Sequence, residues 1–259
     1  MKLPHYSKIL RFFVIVIVFS LASCASQRDV VYFQGIGDYE TKITENSHEQ
    51  TFKVDDLIEI HVSTLDPEAS LPFNLYSGVQ DAGGRPEKID YIVSKDGFID
   101  FPVIGSVKVV GLSPQETKVI LREKLTPYLK DPIINIRLKN FTVTILGEVK
   151  SPGTYPVNGE QITILEALGL ANDLTIKGKR ENVMVIRDFN GTKVYHRIDL
   201  TNKEALNSPV YYLTQNDVIY VEPNRSAVTS SALDNRASIW VSVASVLITS
   251  TVLLITRAN

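Results

Sequence analysis

Between residues 51 and 223 the apolar side chains recur in short stretches at every second position, and that period commits the body of the chain to β-strands. In Leu57-Ile58-Glu59-Ile60-His61-Val62, Ile58, Ile60 and Val62 share one face, with Leu57 and Glu59 on the other. Tyr91-Ile92-Val93, residues 133–138, 141–149 and Asp217-Val218-Ile219-Tyr220-Val221 also read as extended. Lys95-Asp96-Gly97 carries the Asp-Gly signal of a hairpin, and 182–187 with 193–198 form a second hairpin around Asn190-Gly191. Ser151-Pro152-Gly153-Thr154 places Pro and Gly at the centre of a type II turn.

Only two short helices are announced. Ser113-Pro114-Gln115-Glu116 combines an N-cap, a proline at the first helical position and a capping box. Thr117, Leu121, Leu125 and Tyr128 line one face, and Asp131-Pro132 ends the helix. Thr163-Ile164-Leu165-Glu166 is a second capping box, opening a helix through about Ala171. Strands with few helices predict an α+β body of two small domains, 51–140 and 141–223, the second compact and ubiquitin-like. Residues 63–90, with three prolines and three glycines, read as a long loop.

The two ends differ from this body. Lys2, Lys8 and Arg11 precede the apolar run 12–19, followed by the small residues that close a secretory signal peptide. Leu21-Ala22-Ser23-Cys24 resembles a bacterial lipobox, which implies cleavage before Cys24 and acylation of that residue. The alternative is an uncleaved anchor, but the apolar run falls short of the roughly 20 residues a span needs. Cys24 is the only cysteine, so no internal disulfide can form, and lipidation explains the leftover thiol. Several acyl chains give durable membrane attachment where one does not. Residues 24–50 are expected to be a polar, lipidated tether leading to the first domain, and the lack of acidic residues just after Cys24 points to the outer membrane.

At the other end, 237–256 holds no charge between Arg236 and Arg257 and is expected to form a transmembrane helix after a linker at 224–236. Its helical length is about 30 Å. Ser238, Ser242, Ser245 and Thr249 recur at steps of four and three on one helix face, with Ile239, Val243, Val246, Leu247 and Leu254 opposite. The hydroxylated face can line a pore or an interface between helices. A single lipid-exposed helix whose hydroxyls bond back to their own carbonyls is the other reading, and both stay open.

Catalytic chemistry finds little support. His5, His48, His61 and His196 lack metal-ligand spacing, so no metal and no cofactor is expected. The adjacent Asp55 and Asp56 read as a turn before a strand, and Asp217 as a cap or turn-closing residue. Gly35-Ile36-Gly37 lacks the third glycine and the context of a phosphate loop. The formal net charge is −2 with no basic block, which argues against a nucleic-acid partner. Tyr155, Tyr195, Tyr211, Tyr212 and Tyr220 could stack on sugars, but aromatics in small domains are mostly core.

Taken in order, these segments resemble the outer-membrane polysaccharide export proteins. The resemblance rests on Val54-Asp55-Asp56-Leu57-Ile58-Glu59-Ile60, on 91–99, on Pro102-Val103-Ile104-Gly105-Ser106-Val107 and on Gly111-Leu112-Ser113. The second half is similar to the soluble-ligand-binding β-grasp module through 143–149, Pro152-Gly153-Thr154-Tyr155 and 213–221. Asp55 stands where the family carries glycine, Ala171-Asn172-Asp173 replaces Ala-Gly-Gly, and Asn216 replaces a glycine before Asp217. Asn tolerates left-handed backbone, so the turns are expected to survive. The resemblance implies a non-enzymatic, lipid-anchored outer-membrane channel for capsular or extracellular polysaccharide, with its domains in the periplasm. It also implies a homo-oligomeric ring, an octamer being one such ring, whose C-terminal helices gather into a barrel. The implied partners are the polysaccharide, membrane lipid and an inner-membrane polysaccharide co-polymerase or tyrosine kinase. A periplasmic sugar-binding or partner-docking lipoprotein without a pore is the alternative, and an adaptor anchored in the inner membrane is a third.

Overall fold

The computed structural model describes residues 30–34, 50–77, 88–189, 191–233, 239–243, 245–246 and 249–250. The first domain is built on a three-stranded antiparallel sheet in the order β2 (Tyr91–Ile92), β1 (Leu57–Ser63), β5 (Ile133–Leu138). The alternation read from β1 holds, and Ile58, Ile60 and Val62 are buried. A second ribbon pairs β3 (Phe98–Phe101) with β4 (Gly105–Lys108). Between β1 and β2, residues 63–90 are not bare loop. They hold α1 (Pro67–Ser70), a 3-10 turn at Leu71–Phe73 and a bridge between Tyr76 and Lys88, while 78–87 lie outside the described residues. Asn74 fixes this excursion, for its Oδ1 accepts from the Val62 amide at 2.9 Å and its Nδ2 donates to the Val62 and Ser70 carbonyls.

α2 (Pro114–Leu125) covers the domain. Its capping box forms as the sequence dictates, with Ser113 Oγ accepting from the Glu116 amide and Glu116 Oε2 from the Ser113 amide at 2.7 Å. Thr117, Leu121 and Leu125 face the core; Tyr128 lies past the helix end and is exposed. The turn at residues 95–97 also forms, with Gly97 at φ 85°. Its flanking strands pair elsewhere, however: β2 pairs with β1 and β3 with β4. The Asp-Gly signal fixed the turn, while the buried partners Tyr91 and Val107 decided the pairing.

The second domain is a five-stranded mixed sheet in the order β10 (Thr192–Ile198), β9 (Gly178–Phe189), β12 (Val218–Pro223), β6 (Thr142–Gly147), β7 (Gly153–Pro156). β12 runs parallel to β6 and antiparallel to β9. β8 (Ile162–Thr163) pairs with β11 (Tyr212–Leu213), and α3 (Ile164–Leu170) starts from the expected Thr163–Glu166 capping box. Phe141, Ile145, Ile164, Leu168, Leu200 and Ile219 are fully buried in this core, each contributing roughly 1.5–3 kcal/mol. α4 (Arg225–Leu233) follows β12.

Two expectations are corrected. The type II turn centred on Pro152-Gly153 does not form, because Gly153 opens β7 opposite Ile145 without a positive φ. The left-handed residue is Gly147, at φ 91°, where a Cβ would stand 2.0 Å from the Val221 carbonyl oxygen. The expected C-terminal transmembrane helix is also overturned: no helix of the described residues is long and apolar enough to cross a membrane. α4 spans nine residues, and helical backbone after it is described only over 239–243, 245–246 and 249–250. The hydroxyls described there turn back on the backbone. Ser245 Oγ donates to the Ser242 carbonyl at 2.8 Å and Thr249 Oγ1 to the Ser245 carbonyl at 2.7 Å.

The glycine substitutions noted in the sequence keep their backbone. Asp55, Asn172, Asp173 and Asn216 have φ of 67°, 59°, 71° and 65°, so each non-glycine adopts the left-handed conformation. Gly147→Ala should therefore lower stability by roughly 2–4 kcal/mol, combining left-handed strain with the carbonyl clash. Asn216→Gly should stay within about 1 kcal/mol of the parent. Urea unfolding of both variants checks this contrast.

Candidate functional site

The strand registers define two poles. β6 and β12 start side by side at Thr144 and Val218 next to the first domain, and both run away from it to Gly147 and Val221. β1 and β5 run from Leu57 and Leu138 at the same junction to Ser63 and Ile133 at the far tip of the first domain. Three places on this axis carry side chains beyond simple packing: the junction, the buried charge beside it and the outer pole of the second domain.

At the junction Asn140, the residue between the domains, locks the strand lead-in. Its Oδ1 accepts from the Leu57 amide at 3.0 Å and its Nδ2 donates to the Asp55 carbonyl at 3.1 Å. Asp56 is buried, with Oδ2 accepting from the Lys53 amide at 2.9 Å. Across the domain boundary the Gln215 side chain hydrogen-bonds Asp56, while Gln215 Oε1 is buried without a partner. Lys53 Nζ donates to the Gln215 carbonyl and Gln50 Nε2 to the Leu213 carbonyl, both at 3.4 Å. Burial pushes the Asp56 carboxyl up to about 6, against the opposing pull of the Lys53 amide. A cleft of about 290 Å³ opens beside these contacts, with Leu138, Phe189 and Val210 on its apolar part and Lys53, Arg187 and His196 among its polar lining.

Asp217 is fully buried at the start of β12. It closes the Thr214–Asp217 turn by accepting from the Thr214 amide at 2.8 Å and the Thr214 hydroxyl at 3.1 Å. The sequence suggested that role. It did not reveal the partner: Arg187 of β9 meets Asp217 with a fork, Nε to Oδ1 at 3.0 Å and Nη2 to Oδ2 at 2.7 Å. Arg187 Nη2 also donates to the Tyr212 carbonyl, joining β9, β11 and β12 through one guanidinium.

At the outer pole, residues 30–34, part of the segment read as a tether, lie on the second domain. The Phe33 amide donates to the Leu200 carbonyl at 3.1 Å and the Gln34 amide to the Thr201 carbonyl at 2.6 Å. Tyr32 Oη donates to Asp173 Oδ1 at 2.5 Å, and its ring lies 5.3 Å from the Arg180 guanidinium. Burial, then the Asp173 carboxylate, raises the Tyr32 phenol, so it stays protonated. The run Val30-Val31-Tyr32-Phe33, apolar inside a polar connector, was the signal available for this docking. Arg180, buried and donating to the Thr175 and Gly178 carbonyls, had none.

Of the residues singled out from sequence, Cys24 and Ser238 lie outside the described residues, as do His5 and His48. Ser242, Ser245 and Thr249 are helical and exposed. His61 bonds Asn74 and is half-buried, and His196 lies in β10 beside the junction cleft. Among the described residues no cluster of three His, Cys, Asp or Glu could hold a metal. Tyr155 donates to the Ser151 carbonyl and packs on the core, and Tyr211 meets Tyr212 edge-on at 5.4 Å. Tyr195 is the one of the five tyrosines that stands exposed.

Comparison with known proteins assigns this geometry to a class. Residues 44–139 match the family described as polysaccharide biosynthesis/export protein, and 142–221 match the SLBB domain. The chain belongs to the polysaccharide export family. A relative from Ralstonia solanacearum, named EPS I polysaccharide export outer membrane protein EpsA, is 25% identical over 170 residues, covering 62% of this chain and 45% of its own. The protein of the same name from Ralstonia nicotianae is 30% identical over 130 residues, covering 47% of this chain and 34% of its own. The chain thus spans under half the length of these curated relatives.

Two outcomes test the junction. Asp56 holds its proton to about pH 6 in the native state against an ordinary value of 3.8, so the native state binds more protons between those values. Its contribution therefore falls as pH rises from about 4 to 6. Asp56→Asn should flatten that decline and raise the melting temperature at pH 7; a parental pH profile of Tm would refute the assignment. Asp217→Ala should cost about 3–5 kcal/mol by stranding Arg187, as read by urea unfolding.

Proposed function

We propose that this chain is a non-enzymatic, lipid-anchored component of polysaccharide export at the outer membrane, with both domains in the periplasm. The observation that carries the proposal is the tandem of two matched domains in this chain, export domain first and SLBB domain second, together with its similarity to proteins named polysaccharide export outer membrane proteins. The long-chain sugar is cargo: no reacting group is needed, and two domains joined in line suit a conduit wall. Lys53 and Gln50 tie the first domain to the Gln215 and Leu213 carbonyls of the second, and Asn140 fixes the lead-in between them.

In this reading Cys24 is the acylated N-terminal residue of the mature chain, and identical copies close into a ring around the polymer. A ring needs two different faces that complement each other on neighbouring copies. The hydroxylated face of Ser238, Ser242, Ser245 and Thr249 is one contact between copies, since hydroxyls turned onto their own carbonyls leave a small, flat surface. The partner below is an inner-membrane co-polymerase or tyrosine kinase that delivers the chain.

Deleting the gene from its native host should abolish extracellular polysaccharide, and the parental gene should restore it. Cys24→Ser should lose the acyl mass, leave the membrane fraction and reduce secreted polymer at least tenfold. Full secretion from an unacylated, soluble Cys24→Ser protein would overturn the anchor. Full secretion from the deletion strain would overturn the export role.

A further inference from the structure

We infer that the turn at Thr175–Gly178, on the outer pole of the second domain, rests on the surface of an anionic phospholipid bilayer. The inference builds on the lipid-anchor reading and adds the face that meets the lipid.

Both described ends of the body converge on this turn. Tyr32 of the N-terminal strap binds Asp173 and Arg180, which flank it. At the other end the Asn224 amide, just before α4, donates to the Lys177 carbonyl at 2.7 Å, and Lys177 Nζ donates to Ser230 Oγ of α4 at 3.1 Å. Only five residues separate Cys24 from Val30. Even fully extended, that stretch spans about 20 Å, so acyl chains on Cys24 would hold this side of the second domain close to the headgroups.

The surface presented there is built for such contact. The Gly178 amide donates to the Thr175 carbonyl at 3.1 Å, making a tight turn with Ile176 and Lys177 at its tip. Thr175 is itself tied down, its amide to the Glu148 carbonyl at 2.9 Å and its hydroxyl to Glu148 Oε2 at 2.8 Å. Ile176 is held out with 67% of its surface exposed. Exposed cations surround it: Lys177 beside it, Lys150 from the neighbouring loop and Arg225 at the start of α4. Three carboxylates share this pole: Glu222 pairs with Lys179 and Arg197, Asp173 accepts from Tyr32 and from the Leu174 amide beside Arg180, and Glu148 accepts from the Thr175 hydroxyl. A rigid apolar tip within a ring of cations matches an interface whose outer layer is phosphate and whose next layer is hydrocarbon.

Single-thiol labelling tests this on the full-length protein in vesicles of phosphatidylethanolamine and phosphatidylglycerol. With the Cys24 sulfur acylated, Ile176→Cys carries the one reactive thiol; Leu65→Cys, at the opposite pole, is the control. A nitrobenzoxadiazole label at 176 should shift to the blue and be quenched at least twofold by nitroxide-bearing lipid, with the label at 65 unaffected. Replacing phosphatidylglycerol with phosphatidylcholine should weaken the quenching. A label at 176 that is unquenched, or shielded from aqueous iodide without lipid quenching, as when a second copy covers it, overturns the inference. Intact mass reads acylation separately. Where the mass shows no acylation, the label is placed on a Cys24→Ser, Ile176→Cys chain, which again has one thiol: quenching at 176 there sustains the bilayer contact and removes the anchor, while an acylated chain without quenching does the reverse.

Discussion

The second domain depends on one buried ion pair. Asp217 sits at the point where the chain turns from β11 into β12, and without Arg187 its charge would be isolated in the core beside Phe141 and Ile219. The pair does several things at once. It closes the turn, fixes the start of the central parallel strand against β6, and ties the strand bearing Phe189 to the junction cleft. A buried pair is weak evidence for net stability, but its geometry is highly directional. Here direction is what the molecule needs, because the position of β12 sets both the junction at one end and the outer pole at the other.

From that strand the rest of the layout follows. The junction brings Gln215 and Lys53 to Asp56, joining the domains through hydrogen bonds and one strained titratable group. At the far end of β12, Pro223 pairs back to Gly178, and this places the Thr175–Gly178 turn where the strap and α4 meet. The carboxylates Asp56, Asp173 and Asp217 mark the junction, the pole and the strand start of this layout.

Local chemistry was legible in the sequence wherever it rests on neighbours in the chain. Both capping boxes, the alternation in β1, the hairpin of β9 and β10, and the survival of the turns at Asn172 and Asn216 follow from residues within a few positions of each other. What depends on distant contacts was not legible. Gly147 is required by a carbonyl 74 residues away, and no local pattern reports that. Arg187 and Asp217 are 30 residues apart, and Tyr32 and Asp173 are 141 apart. The charge-free tail misled for a related reason: absence of charge was read as a span, and a run of uncharged residues does not report how far one helix continues. The candidate site was partly visible, since the Asp55-Asp56 turn and Asp217 stand out, but the strap and the basic turn around Ile176 emerged only from the folded chain.

The central claim is that anchored copies of this two-domain rod enclose a path for polysaccharide. Electron microscopy of the acylated full-length protein, extracted in mild detergent, reads this most directly. Closed rings of identical subunits, with the second domain nearest the detergent belt and the Leu65 tip farthest from it, are expected. Monodisperse monomers, or rings with the first domain at the detergent, would contradict the account.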